Sequence, residues 1–177
     1  MKKAALFAAA ALVSLAPALA QNLPRQAPEQ IIHFLDGKTA KVSDYTGKVV
    51  LVAFILTGCQ HCQHTVGLLN GIQTALGKRG FQTIALAVNA DAPQKLAEFN
   101  RTFKPVFPVG YCPSKESAGF LKLTPGKRAL APLLAFLDRK GMIRFQTNGA
   151  DSLFFNDKEA DHIRAQVLKL LGPATKP

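Results

Sequence analysis

Cys59 and Cys62 are the two residues of this sequence best suited to chemistry, and they stand two residues apart in Thr57-Gly58-Cys59-Gln60-His61-Cys62-Gln63-His64. Close-spaced cysteines can exchange disulfides, hold a soft metal ion or, with a histidine directly after the second, anchor haem. Gln63 occupies that last position, so haem attachment is rejected. The apolar run Val49 to Leu56 precedes the pair, bounded by Gly47-Lys48 and Thr57-Gly58, and has the pattern of a buried strand. After the pair, Val66, Leu68, Leu69, Ile72 and Leu76 recur at helical spacing up to the stop signal Gly77-Lys78-Arg79-Gly80. The cysteines therefore mark the point where a strand turns into a helix. Backbone N–H groups at a helix start favour negative charge, so a cysteine placed there is expected to carry thiolate at neutral pH.

Other residues frame this site. The chain has three cysteines, an odd number, so at least one has no partner within it. Structural disulfide frameworks belong to small domains that cannot build a core, and this chain is long enough to build one. The close-spaced pair is accordingly read as functional. Cys112, in Val109-Gly110-Tyr111-Cys112-Pro113, reads as a small buried apolar residue, with a downstream resolving cysteine as the alternative. His64 and His33 read as exposed side chains.

Lys2-Lys3, the apolar stretch Ala4 to Leu15 and Ala18-Leu19-Ala20 before Gln21 form the pattern of a cleaved signal peptide over residues 1–20. No cysteine lies near the cleavage site, which excludes lipid attachment there. No segment reaches the roughly 18 to 20 apolar residues that a membrane span needs. The expectation is an exported, periplasmic chain without a stable membrane span. Cleavage removes Lys2 and Lys3 and no acid, so the formal net charge falls from +11 to +9. The positive residues are scattered and not gathered into the run that marks a nucleic-acid arm. No nucleic-acid partner is expected; the charge reads as solubility with a bias towards acidic partners.

Residues 21–30, rich in Pro and Gln, read as a flexible lead-in, and 31–177 as a single domain. Ile31 to Leu35 and Thr39 to Val42, joined by Asp36-Gly37-Lys38, read as a β-hairpin. Phe81 to Val88 is a second buried strand; Leu96, Phe99 and Phe103 line a short helix that Pro105 stops. Val106 to Val109 reads as a brief strand, placed at a sheet edge by Pro108. Residues 114–122 read as a short helix. Pro132 to Asp138 and Met142 to Gln146 form a hairpin through Arg139-Lys140-Gly141. Asp157 to Leu171 closes the chain as an amphipathic helix ended by Gly172-Pro173. Strand–helix–strand units followed by a hairpin and a helix describe one α/β domain.

A strand ending in CxxC at a helix start, followed some 70 residues later by Pro132-Leu-Leu-Ala-Phe-Leu-Asp138-Arg-Lys-Gly141, resembles the thioredoxin superfamily. Asp36-Gly37-Lys38, Gly47-Lys48-Val49-Val50-Leu51-Val52 and the inserted segment Phe103 to Leu121 resemble its exported TlpA/ResA-like branch. The resemblance covers about residues 30–171. It implies a thioredoxin fold: a central mixed sheet flanked by helices, with an N-terminal β-hairpin and an inserted helix/strand segment. It further implies a thiol-disulfide oxidoreductase without cofactor, expected as a monomer, whose partners are protein thiols and disulfides. By position Cys59 matches the nucleophilic cysteine, Cys62 the resolving one, and Pro132 the proline that is cis in this family. Ala131, before it, would present its backbone to an extended substrate segment.

Three departures sharpen the expectation. Gly58 stands where a tryptophan often precedes the first cysteine. Ala53 stands where thioredoxin has a buried acid, which weakens the case for thioredoxin-like reduction. His61 before the second cysteine resembles strongly oxidising relatives with CPHC. An imidazole there favours the Cys59 thiolate and hence the reduced form, making the pair more oxidising. The rival reading is a copper-binding or metallochaperone-type protein using Cys59, Cys62 and either His61 or His64. A one-cysteine peroxidase is disfavoured, because Leu56 holds the place its threonine would need. A third class is a binding module with the pair as an inert clasp.

Overall fold

The computed structural model describes residues 23–126 and 129–173; the expected signal peptide lies outside them. Among the described residues, eight strands form one mixed sheet in the order β1-β8-β7-β4-β5-β6-β2-β3. In chain order they are β1 (Arg25–Gln26), β2 (Ile31–His33), β3 (Thr39–Lys41), β4 (Val49–Ile55), β5 (Phe81–Ala87), β6 (Val109–Tyr111), β7 (Leu133–Leu137) and β8 (Met142–Asn148). The helices are α1 (Gln60–Leu76), α2 (Ala92–Phe103), α3 (Ser114–Leu121) and α4 (Glu159–Leu171). β4, β5 and β6 run parallel, β7 returns antiparallel to β4, and β8 pairs antiparallel with β7.

The central strand explains the layering. Every residue of β4 is buried, as an unbroken apolar run of this length requires. Its alternation divides it between two cores. Leu51, Ala53 and Ile55 pack with Val66 and Leu69 of α1, Leu96 of α2 and Ile163 of α4. Val50, Val52 and Phe54 face the other way, against Phe120 and Leu121 of α3, Ile32 and Ile143. Each such buried aliphatic or aromatic side chain contributes about 1.5–3 kcal/mol. With both faces covered, β4 is held rigidly, and the cysteines that follow it inherit that rigidity.

Two expectations are corrected. The lead-in is not loose from Leu23 onward: Arg25 and Gln26 pair with Ile143 and Met142, and extend the sheet beyond β8. Arg25 is buried, donating from Nη2 to the Phe120 carbonyl at 2.7 Å and to Gln146 Oε1 at 3.1 Å. Its partners lie 95 and 121 residues away, so no local pattern announces them. The strand expected at Val106 to Val109 begins instead at Val109, and it lies inside the sheet between β5 and β2. Pro108 has no N–H to give to a ladder; it serves through its carbonyl, which accepts the Ala85 N–H at 3.0 Å. Gly110 lets β2 approach, since a Cβ there would meet the His33 carbonyl oxygen at 2.6 Å. The 31–42 hairpin, the remaining strands and all four helices stand where the sequence pattern puts them, within a few residues at their ends.

Candidate active site

Cys59 is the N-cap residue of α1, with φ −86° and ψ 117°, and its sulfur accepts the Cys62 N–H at 3.3 Å. No Ser, Asp or Asn caps this helix; the sulfur itself takes that place. An N–H aimed at sulfur, backed by the positive end of a 17-residue helix, stabilises negative charge on it. Cys59 is partly exposed and Cys62 fully buried, and both are free thiols.

The two sulfurs thus have different surroundings. Cys62 Sγ accepts the Leu56 N–H at 3.5 Å but otherwise sits among apolar side chains. Burial pushes its thiol up to about 12, and neighbouring Cys59 adds to the rise. One sulfur is reachable and capped by a backbone N–H; the other is hidden and holds its proton. Disulfide exchange needs this asymmetry, with one sulfur to attack and one to resolve.

The loop before β7 closes the site. The Ala131–Pro132 peptide bond is cis, and the Cys59 thiol faces the Ala131 carbonyl oxygen at 3.9 Å. Cys59, Cys62, Ala131 and Pro132 are therefore brought together from positions some 70 residues apart. Gly149, after β8, backs this loop: its N–H donates to the Leu130 carbonyl at 2.7 Å. A Cβ on Gly149 would meet the Ala131 oxygen at 2.7 Å.

On the other side of Cys59 lies a cavity of about 650 Å³, lined by Leu56, Thr57, Gly58, Phe99 and Phe103 among others. Asn89 fixes its wall. Its Oδ1 accepts the Thr57 N–H and its Nδ2 donates to Thr57 Oγ1, both at 3.0 Å. Gln63 donates to the Thr57 carbonyl at 2.9 Å. The turn carrying the cysteine is held from both flanks.

His61 turns towards α4. Its Nε2 lies 3.3 Å from Glu159 Oε2, and its ring meets Phe155 edge-on at 4.8 Å between centroids. Glu159 is a residue that sequence reasoning missed. An acid opening an amphipathic helix is ordinarily solvated, and only the packing of α4 on α1 buries this one. Ala53, by contrast, is wholly buried in β4 as the sequence implied. His64 is exposed, and His33 stacks on Tyr111 at 5.4 Å. Cys112 is buried and belongs to the core on the opposite side of the sheet from Cys62. Among the described residues, no three His, Cys, Asp or Glu side chains converge in a way that could hold a metal ion.

Residues 22–163 match the Redoxin family. The chain belongs to that family. Over 84 residues it is 30% identical to the thiol-disulfide oxidoreductase ResA of Geobacillus thermodenitrificans, a match covering 47% of each protein. The match thus spans about half the length of that curated relative. Among solved structures, a thiol:disulfide interchange protein of the thioredoxin family from Chlorobium tepidum aligns with TM-score 0.69 and 21% identity, over 84% of this chain and 97% of that one. A thiol:disulfide interchange protein from a Bacteroides species aligns with TM-score 0.67 and 19% identity, over 86% and 92%. These likenesses establish a thioredoxin-like fold, as the sequence motifs implied.

Proposed function

We propose that this protein is an exported thiol-disulfide oxidoreductase that exchanges disulfides with partner proteins through Cys59 and Cys62. The observation that carries the reading is the asymmetry of the pair: an accessible Cys59 sulfur capped by an N–H, beside a buried Cys62 thiol. Cys59 as thiolate attacks a partner disulfide, forming a mixed disulfide and releasing one partner thiolate. Cys62 then gives up its proton and attacks the Cys59 sulfur, closing Cys59–Cys62 and releasing the second partner thiolate. In the oxidising direction these steps run backwards, and the partner leaves with the disulfide. Ala131 and Pro132 provide the backbone edge along which an extended partner segment would lie beside Cys59. His61 at the helix start makes the pair more oxidising than the same site would be without that imidazole.

Export rests on the 1–20 pattern, and such a pair is at home in an oxidising compartment. Among the described residues no helix is long and apolar enough to cross a membrane. The copper reading is the weaker one, because His61 is occupied by Glu159 and His64 points to solvent. Trapping decides between them. Cys62→Ser should accumulate mixed disulfides with exported proteins through Cys59, and Cys59→Ser should not. A Cys62→Ser protein that captures no thiol partner, while the wild type binds one copper ion tightly, would end the oxidoreductase reading.

A further inference from the structure

Besides the cysteine pair, one ionisable group is buried against the same helix end. Glu159 is only 3% exposed, yet it opens α4 with a carboxylate. Both of its oxygens turn to the first turns of α1: Oε2 to His61 Nε2 at 3.3 Å, Oε1 to Thr65 Oγ1 at 2.6 Å. Thr65 Oγ1 also lies 3.0 Å from the His61 carbonyl oxygen, a second acceptor for its single proton, so carboxylate, hydroxyl and imidazole form one cluster. Phe155 shields the ring edge-on. A carboxylate removed from water to this extent is tolerated only with partners that offset its charge and fill its lone pairs. His61 is the cationic candidate, and it sits two residues beyond Cys59.

We propose that Glu159 is a positioning residue of the redox centre: it pins His61 over the start of α1 and sets the charge which that turn presents to the Cys59 sulfur. This rests on the reading of Cys59 and Cys62 as a redox pair. With both members present, the His61–Glu159 pair adds little net charge near the helix start. With His61 removed alone, an unpaired carboxylate remains in the apolar interior beside the turn on which the Cys59 anion depends. Like charges at short range in a poorly screened interior repel. The reduced form is then destabilised and the disulfide becomes harder to reduce. With both removed, the repulsion disappears.

The test is the equilibrium of the full mature protein with glutathione, in which the protein disulfide takes two glutathione thiols to give the dithiol and glutathione disulfide. Wild type, His61→Ala, Glu159→Gln and the double variant are compared at one pH, with thermal melting alongside. His61→Ala should move the equilibrium towards the protein disulfide by about tenfold or more, and adding Glu159→Gln should recover most of that shift. A purely structural Glu159 would lower the melting temperature and leave the glutathione equilibrium alone. Equal equilibrium constants for His61→Ala and the double variant would overturn the proposal. Should His61→Ala not fold, His61→Gln in the same two backgrounds gives the same comparison. A wild-type protein that does not exchange with glutathione at all would instead overturn the redox reading beneath it.

Discussion

Ala131 turns its carbonyl oxygen towards the Cys59 sulfur from 3.9 Å, across a gap of 72 residues in sequence. Neither residue marks this relationship by its own chemistry. It exists because β7 lies beside β4 in antiparallel register, Val52 opposite Ala135 and Phe54 opposite Leu133, which brings the start of one strand to the end of the other.

Gly149 should be intolerant of any side chain. Its Cβ would come within 2.7 Å of the Ala131 oxygen and 2.9 Å of the Ala131 carbon, both backbone atoms that cannot swing aside. Gly149→Ala is expected to cost about 1–3 kcal/mol through overpacking. Because the displaced atoms face Cys59, disulfide-exchange rate should fall more than the stability loss alone explains. Denaturant titration and stopped-flow exchange on the same variant would show this; a destabilised variant with unchanged exchange rate would contradict it.

Cys62 gives a pH signature. Burial lifts its thiol from an ordinary 9.0 to about 12, and burial lifts Cys112 to about 12 as well. A group raised in the folded state contributes stability in full below its unfolded value and loses it as pH climbs to the folded one. The reduced protein should therefore lose this contribution between pH 9 and about 12. Cys62→Ala with Cys112→Ala should flatten the decline. In single-cysteine variants, the partly exposed Cys59 should alkylate faster than Cys62, whose alkylation stays slow until strongly alkaline conditions.

Cys112 is expected to take no part in disulfide exchange by Cys59 and Cys62. It packs with Ile32, Val50 and Phe54 on one side of the sheet, whereas Cys62 packs with Val66 and Leu69 on the other. Cys112→Ser should leave exchange rate and potential at wild-type values while costing about 1–3 kcal/mol for burying a hydroxyl among apolar groups. A changed potential in this variant would restore its role as a second resolving cysteine.

Asn89 holds the turn that presents Cys59. Asn89→Ala leaves the Thr57 N–H without the acceptor it has at 3.0 Å, an omission worth about 1–3 kcal/mol for a buried donor. Exchange should slow, with Asn89→Asp recovering part of the rate because one acceptor oxygen returns. Full activity in Asn89→Ala would show that Gln63, which bonds the Thr57 carbonyl, holds the turn unaided.

The sequence by itself determined the parts whose information is local. An eight-residue apolar run followed by Thr57-Gly58-Cys59 could only be a buried strand meeting a helix, and helical spacing from Val66 to Leu76 fixed the face that α1 buries. The Cys59–Cys62 spacing at that junction, together with Pro132 before an apolar strand and Asp138 and Gly141 after it, was enough to point to the family. Tertiary structure alone decided the rest. Glu159 reads as a surface acid until α4 packs on α1 and sets it 2.6 Å from Thr65, 94 residues away. Arg25 reads as part of a loose leader until β8 offers it an edge to pair with. Gly149 reads as an ordinary turn residue until the Ala131 backbone is laid against it. Periodicity reports which face of an element is apolar; it carries no record of which other element that face will meet. The cysteine chemistry was therefore legible from residue types and spacing, whereas the groups that position it, gathered from distant elements, became visible only once the chain was folded.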